Sequence, residues 1–137
     1  MTALTKDRNT ARRAGDDFTF PVAAAVTCHA GAIAVLDAAG NVKPAVAATG
    51  LVCAGRFEDS ADNAAGAAGA ISARVAPGVY HYANSAAADA ITAAEIGDTC
   101  YLVDDQTVAK TDATGTRSAA GKIVGVDSVG VWVRMGL

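Results

Sequence analysis

The chain has 137 residues, but alanine supplies much of its 52% hydrophobic fraction and aromatic residues only 5%, which predicts one domain with a thin core. Its net charge of −3 lacks the positive field that nucleic-acid binding requires, so DNA and RNA are excluded as expected partners. No apolar stretch approaches the roughly 20 residues of a membrane span, so we expect a soluble protein that is made in the cytosol and has no membrane partner.

The first 17 residues predict an extended arm ahead of the β-rich part of the chain. They show neither the alternation of a strand nor the period of a helix, and apolar anchors are almost absent after Leu4. We therefore divide the chain into an arm, residues 1–17, and a single β domain, residues 18–137. The arm residues expected to contact a partner are Lys6, Asp7, Arg8, Asn9, Thr10, Arg12 and Arg13.

Short segments of alternating apolar and polar residues predict the strands of the β domain. Phe18 and Phe20 fall on one side of the first segment, and Pro21, which cannot donate a backbone hydrogen bond, favours an edge position. The same alternation recurs three more times along the chain. The apolar faces that it predicts are Leu51, Cys53 and Phe57, then Ile71, Ala73 and Val75, then Val131, Val133 and Met135.

Glycine-containing connections separate these segments and favour antiparallel neighbours. Gly40 and Gly130 lie in connections of hairpin length, where a positive φ is expected. The Ala- and Gly-rich stretch from 61 to 70 predicts a mobile loop. One short helical segment of one or two turns is expected between about 85 and 96, where Thr92 and Glu95 have the spacing of a capping box. The sequence thus predicts a small all-β barrel or sandwich of short antiparallel strands.

Side chains capable of catalysis or metal binding lack the spacing that either function needs. His29 and His81 have no second metal ligand at motif distance, and adjacent Cys28 and His29 would point to opposite faces of a strand. The polar residues at 59–63 lack the alternate ligand positions of a calcium loop. We expect reduced thiols, no enzyme activity, no cofactor and no bound metal.

Three arginines on the polar faces of predicted strands are candidates for a protein interface. They are Arg56, Arg74 and Arg134. The planar guanidinium group is favoured at protein interfaces. An ordinary solvated face is the alternative interpretation for all three.

Taken together, segments spread over nearly the whole chain resemble one family. The segments are residues 7–10, 30–40, 62–63, 77–85, 96–108 and 130–134. Their order and spacing are similar to those of the capsid decoration, or cement, proteins of tailed bacteriophages. The resemblance implies a small β-rich protein that is added to the outside of an expanded icosahedral capsid, commonly as a trimer at local three-fold positions. It implies binding to the major capsid protein, stabilisation of the shell and no catalysis.

Two other functions compete with this expectation. A virion-surface module that binds carbohydrate or a host receptor would need an exposed aromatic platform, and the candidate rings are Trp132, Tyr80, Tyr82 and Tyr101. We expect most of these rings in the core, because few aromatic residues are available to anchor it. A small hydrolase would need Cys100 or His81 beside a carboxylate in a pocket.

Overall fold

A computed structural model describes residues 2–137; Met1, the first residue of the predicted arm, lies outside them. Residues 2–17 form no strand or helix, and every one of their side chains is exposed. The remainder is built from short strands, which confirms the predicted all-β class. The strands are β1 (Phe18–Pro21), β2 (Thr27–Cys28), β3 (Ile33–Leu36), β4 (Val42–Pro44), β5 (Val52–Phe57), β6 (Ala61–Asp62), β7 (Ser72–Ala76), β8 (Gly78–Asn84), β9 (Thr99–Leu102), β10 (Thr107–Ala109), β11 (Ala119–Val126) and β12 (Val131–Met135).

The strands form an open sheet and a closed barrel. The sheet has the order β1-β7-β5-β3-β4, the barrel closes in the order β10-β8-β12-β11-β9, and β2 pairs with β6. Pairing is antiparallel as predicted, except that β10 runs parallel to β8. Pro21 ends β1 at an edge of the sheet, which confirms its expected position, and the rings of Phe18 and Phe20 lie 6.3 Å apart on one side of that strand.

Alternation along β12 sets the inside and outside of the barrel. Val131, Val133 and Met135 are buried, whereas Trp132 and Arg134 face outward, as the sequence predicts. The alternation predicted for β7 is also confirmed, because Ala73 and Val75 are buried. Because successive side chains point to opposite faces of a strand, this alternation places apolar side chains inside the barrel and a mixture of polar and apolar side chains outside it.

The predicted common face of Leu51, Cys53 and Phe57 is wrong because β5 contains a β-bulge. Val35 pairs with Cys53 and Ala34 pairs with Gly55, so Ala54 is an extra residue in β5. Gly55 has a φ of 134°, a conformation that glycine adopts readily. The extra residue reverses the side-chain alternation, so Cys53 packs toward the barrel while Phe57 is buried on the other face of the sheet.

Two apolar clusters lie on opposite faces of the sheet, and the first of them joins the sheet to the barrel. Ile33 and Val35 leave one face of β3 and pack among the side chains that fill the barrel, such as Leu102 and Val133. Ala34 leaves the opposite face and packs with Phe57 in the second cluster. Because β3 contributes to both clusters, the sheet covers the barrel instead of standing apart from it.

Gly40 and Gly130 both lie in turns, but glycine is required at the two positions for different physical reasons. Gly40 has the expected positive φ, at 82°. The expectation for Gly130 is wrong, since its φ is not positive. A Cβ atom at Gly130 would clash with the carbonyl oxygen of Tyr82 and lie 2.9 Å from the ring of His81. The glycine is required there because β8 passes too close for any side chain.

The expected helical segment consists of two single-turn 3-10 helices, Ala87–Asp89 and Ala93–Glu95. The capping box is confirmed by two hydrogen bonds. The amide of Ala94 donates to the hydroxyl oxygen of Thr92, and the amide of Thr92 donates to the carboxylate of Glu95 at 2.6 Å. Of the stretch 61–70, predicted to be a mobile loop, residues 64–70 do form turns, but the stretch begins with a short strand. This strand is β6, and the buried amide of Asn63 donates to the carbonyl oxygens of Ala23 and Ala67.

Candidate binding surfaces

The arm is joined to the β domain by two contacts at its base. The carboxylate of Asp17 lies 3.2 Å from the guanidinium group of Arg74 on β7, and the guanidinium group of Arg13 lies 5.4 Å from the centre of the Phe18 ring. Toward the N-terminus, the amide of Thr10 donates to the carbonyl oxygen of Arg8 at 3.0 Å. Within residues 2–137 the arm cations Lys6, Arg8, Arg12 and Arg13 make no ion pair. The arm therefore presents its positive charge to solvent.

The three candidate interface arginines have different surroundings and do not form one cluster. Arg56 on β5 contacts Glu58 at 2.7 Å and stacks over the ring of Tyr80 at 4.4 Å. Arg74 on β7 contacts Asp59 as well as the arm, and these hydrogen bonds raise its pKa. Arg56 and Arg74 thus already have partners within the chain.

Arg134 differs from the other two arginines. It lies exposed on β12 between Val79 of β8 and Lys122 of β11, and it forms no ion pair with any of the described residues. Its guanidinium group is therefore available to an external partner.

Trp132 is an exposed ring that is fixed by its neighbours. The side chain is 43% exposed, and its ring centre lies 4.8 Å from that of His81, its register partner on β8. The indole N–H donates to Asp127 Oδ2 at 3.2 Å. Asp127 Oδ1 accepts from the amides of Val129 and Gly130 and lies 3.2 Å from His81 Nε2. These bonds lower the pKa of Asp127 to about 2, chiefly because the two amides stabilise the ionised carboxylate.

A shallow hollow of about 550 Å³ lies next to this cluster, at the junction of the sheet and the barrel. The side chains with hydrogen-bonding groups that line it are His29, His81, Tyr82, Asp105 and Gln106. The two histidines, which the sequence separates by 52 positions, therefore meet at one site. Sequence reasoning missed this convergence, because it depends on how the 29–32 loop docks against the barrel.

The expectation that most of the four candidate rings are in the core is wrong. Only Tyr82 is buried; Tyr80 and Tyr101 are half-buried, and Trp132 is exposed. A sequence signal for Trp132 did exist, because the alternation of β12 places it on the same face as Arg134. The scarcity of aromatic residues favours a buried ring, but the alternation along β12 determines the side on which Trp132 lies.

The three thiols, Cys28, Cys53 and Cys100, are protonated at neutral pH. Cys100 is fully buried inside the barrel and does not line the hollow. His81 lines the hollow and lies 3.2 Å from the Asp127 carboxylate, so of the two hydrolase candidates only His81 lies beside a carboxylate at a pocket. Burial raises the pKa of Cys53 to about 11 and that of Cys100 to about 12. Cys28 is also buried, and burial raises its pKa. None of the three thiols is therefore ionised to the thiolate, which is the nucleophilic form of cysteine.

The described residues, 2–137, contain neither a metal-ligand cluster nor a helix able to span a membrane. No group of three or more His, Cys, Asp or Glu side chains there is arranged to hold a metal ion. Over the same range, no helix reaches the length and apolar character of a membrane span.

Two parts of the surface are suited to binding a partner: the arm and the outer surface around Trp132. Arm side chains offer charge to a partner, and the surface around Trp132 offers a fixed ring beside a polar hollow. No family model, curated protein or solved structure matches the chain.

Proposed function

We propose that this chain is a structural virion protein, which decorates the outer surface of an icosahedral phage capsid and stabilises the shell by binding the major capsid protein. In this proposal it is made in the bacterial host cytoplasm, assembles as a homotrimer and acts without catalysis. The proposal combines the family resemblance of the sequence with the architecture of an exposed arm on a packed β domain.

The single observation that carries the proposal is the form of the arm. Residues 2–17 are exposed throughout and form no strand or helix, while Asp17 fixes their base to β7. Sixteen residues can span up to about 55 Å when extended. An arm of this reach can follow the surface of a neighbouring protein, and its conformational entropy is lost only when it binds.

Charge indicates what kind of surface the arm would contact. Four of the 11 Lys and Arg residues and three of the 14 Asp and Glu residues lie in the first 17 positions, so the remaining 120 residues carry 7 basic and 11 acidic side chains. Between 6 and 13 the arm holds four cations against Asp7 alone. The β domain is therefore acidic and the arm locally basic, which favours an acidic groove on the capsid as the partner of the arm.

The modest core supports association of copies, and the number three is taken from the family resemblance. Among the described residues, Phe57 and Tyr82 are the aromatic side chains that are buried, and alanine and valine supply many of the other core positions. Burial stabilises in proportion to apolar area, at about 25 cal/mol per Å², so small side chains contribute little each. Association of copies is a common way for a chain with such a core to gain stability.

Arm deletion tests the proposal. A variant that lacks residues 2–14 keeps the contact between Asp17 and Arg74, so its β domain can be compared directly with that of the full chain. Mixed with capsids stripped of this protein, the full chain should co-sediment and the truncated chain should not. A second variant replaces Lys6, Arg8, Arg12 and Arg13 with Gln and should bind more weakly and with less salt dependence. Unchanged occupancy after deletion would overturn the proposal.

A second candidate function is favoured by one observation, the exposure of Trp132. The carbohydrate- or host-binding alternative requires an outward-facing aromatic ring, and Trp132 meets that requirement together with His81. A decoration protein on a capsid surface could carry such a site on its outer face, so this candidate adds to capsid binding and does not replace it.

A further inference from the structure

The platform, defined here as Trp132, His81 and Asp127, holds an aromatic ring rigidly at the surface. Trp132 contacts His81 of β8 on one side and pairs with Gly125 of β11, which has no side chain, on the other. The bond from the indole N–H to Asp127 fixes the ring's orientation. Little conformational entropy would be lost when a ligand stacks on a ring that is already fixed.

The hollow beside the platform has walls that are equally fixed. The hydroxyl of Tyr82 donates to the carbonyl oxygen of Gly31 at 2.8 Å, and the amide of Ile33 donates to that of Asp105 at the same distance. On the other side, the amide of Ala83 donates to the carbonyl oxygen of Gln106 at 2.9 Å. These bonds tie the 29–32 loop and the 105–106 turn to the barrel, so the hollow is formed before any ligand arrives.

Side-chain chemistry indicates which ligand the hollow suits. Its imidazole, carboxylate and carboxamide groups, from His29, His81, Asp105 and Gln106, include donors and acceptors of hydrogen bonds. No lysine or arginine lines the hollow, which disfavours a phosphate or another anion. Asp105 is the only carboxylate that lines the hollow, and a single negative charge is too little to attract a polycation. An uncharged ligand with many hydroxyl groups and one apolar face matches this lining together with an aromatic ring.

We propose that the hollow and the platform together bind a carbohydrate of two or more sugar units. One unit enters the hollow and exchanges hydrogen bonds with Gln106, Asp105 and His29, while the next passes His81 and stacks on Trp132. β8 and β12 are neighbouring strands, about 4.8 Å apart, so His81 and Trp132 can contact successive parts of one chain of sugars. This inference rests on the second candidate function, carbohydrate binding at Trp132, and is separate from the arm and from the proposed capsid binding.

The chain contains a single tryptophan, so emission excited selectively at the indole, where tyrosine does not absorb, reports on the platform alone. The full-length protein is titrated with maltotriose, lactose and N,N′-diacetylchitobiose to millimolar concentrations. At least one of them should shift or quench the emission of Trp132 with a saturable curve, and glucose should bind more weakly than the best of the three. No saturable change with any of the three sugars would overturn the proposal.

Variants test whether the residues named here make the site. Gln106→Ala keeps the tryptophan and should weaken binding about tenfold, which corresponds to roughly 1.4 kcal/mol. Trp132→Ala is followed by saturation-transfer NMR on the sugar and should abolish transfer. Val52→Ala, at a 50% exposed position on the five-stranded sheet, is the matched control and should bind normally. If Trp132→Ala instead retained sugar binding but dissociated the oligomer, the platform would be a protein interface and the proposal would be wrong.

Discussion

The guanidinium group of Arg74 lies 3.2 Å from the carboxylate of Asp17, so the last residue of the arm is held against the second strand of the sheet. This contact gives the arm a defined starting direction although residues 2–17 make no strand or helix. Arg74 also contacts Asp59 at 3.3 Å, so one side chain joins the arm, β7 and the turn after β5.

Removing that side chain should loosen the base of the arm with little effect on the β domain. Because both ion pairs of Arg74 are exposed, Arg74→Ala should lower the urea midpoint only slightly, and the loss should shrink as salt is added. Arg134→Ala is the control, since Arg134 has no ion pair within residues 2–137, and it should leave the midpoint unchanged. Equal effects of the two substitutions would contradict the assigned role of Arg74.

The interior of the sheet should depend strongly on Phe57, which is fully buried in the second apolar cluster. Phe57→Ala removes a large side chain from a packed site and should lower the free energy of unfolding by about 3–5 kcal/mol. Phe18→Ala, at a half-buried edge position, should cost clearly less. Denaturant unfolding followed by circular dichroism measures both, and similar losses would show that the cluster is not packed as described.

Gly130 should tolerate no side chain. Gly130→Ala would press a methyl group into the backbone of Tyr82 and the ring of His81, so we expect a loss of about 1–3 kcal/mol. At Gly125 the nearest atom to an added Cβ lies 3.4 Å away, and Gly125→Ala should be nearly neutral. If Gly130→Ala were as stable as the natural chain, the close approach of β8 and the 127–130 turn would be wrong.

Acid should remove a stabilising contribution from Asp127 and Glu95. Hydrogen bonds in the folded chain lower the pKa of each carboxyl to about 2, below ordinary values of 3.8 and 4.5. A lowered pKa in the folded state stabilises it fully above the unfolded value, so stability should fall as the pH drops from about 4.5 toward 2. Asp127→Asn should show a smaller fall over this range in thermal unfolding. An identical pH profile would contradict the network around Asp127.

Much of the fold follows from local sequence pattern. Alternation in β7 and β12, the edge position of Pro21 and the capping box of Thr92 and Glu95 each depend on residues close together in the chain, and each is confirmed. The errors arise where distant segments decide the outcome. The bulge at Ala54 reverses the face of Phe57 because β5 must pack on two clusters at once, which no period within β5 reveals.

The candidate binding surfaces, like the fold, could be predicted from the sequence only where they depend on residues close together in the chain. Exposure and charge of the arm could be predicted, because a segment with so few apolar side chains has little to bury. The meeting of His29 with His81 could not be predicted, since it needs the bond from Tyr82 to Gly31 across 51 positions. Pairing of Trp132 with His81 likewise depends on the register of β12 and β8.

Binding of the arm to the outside of a capsid, as proposed above, can be seen in an electron cryomicroscopy reconstruction of particles assembled with the chain. We predict density for the β domain outside the major capsid protein around local three-fold axes, with residues 2–17 ordered along an acidic groove of the shell. Particles that lack this density while the free chain is present in excess would contradict the proposal.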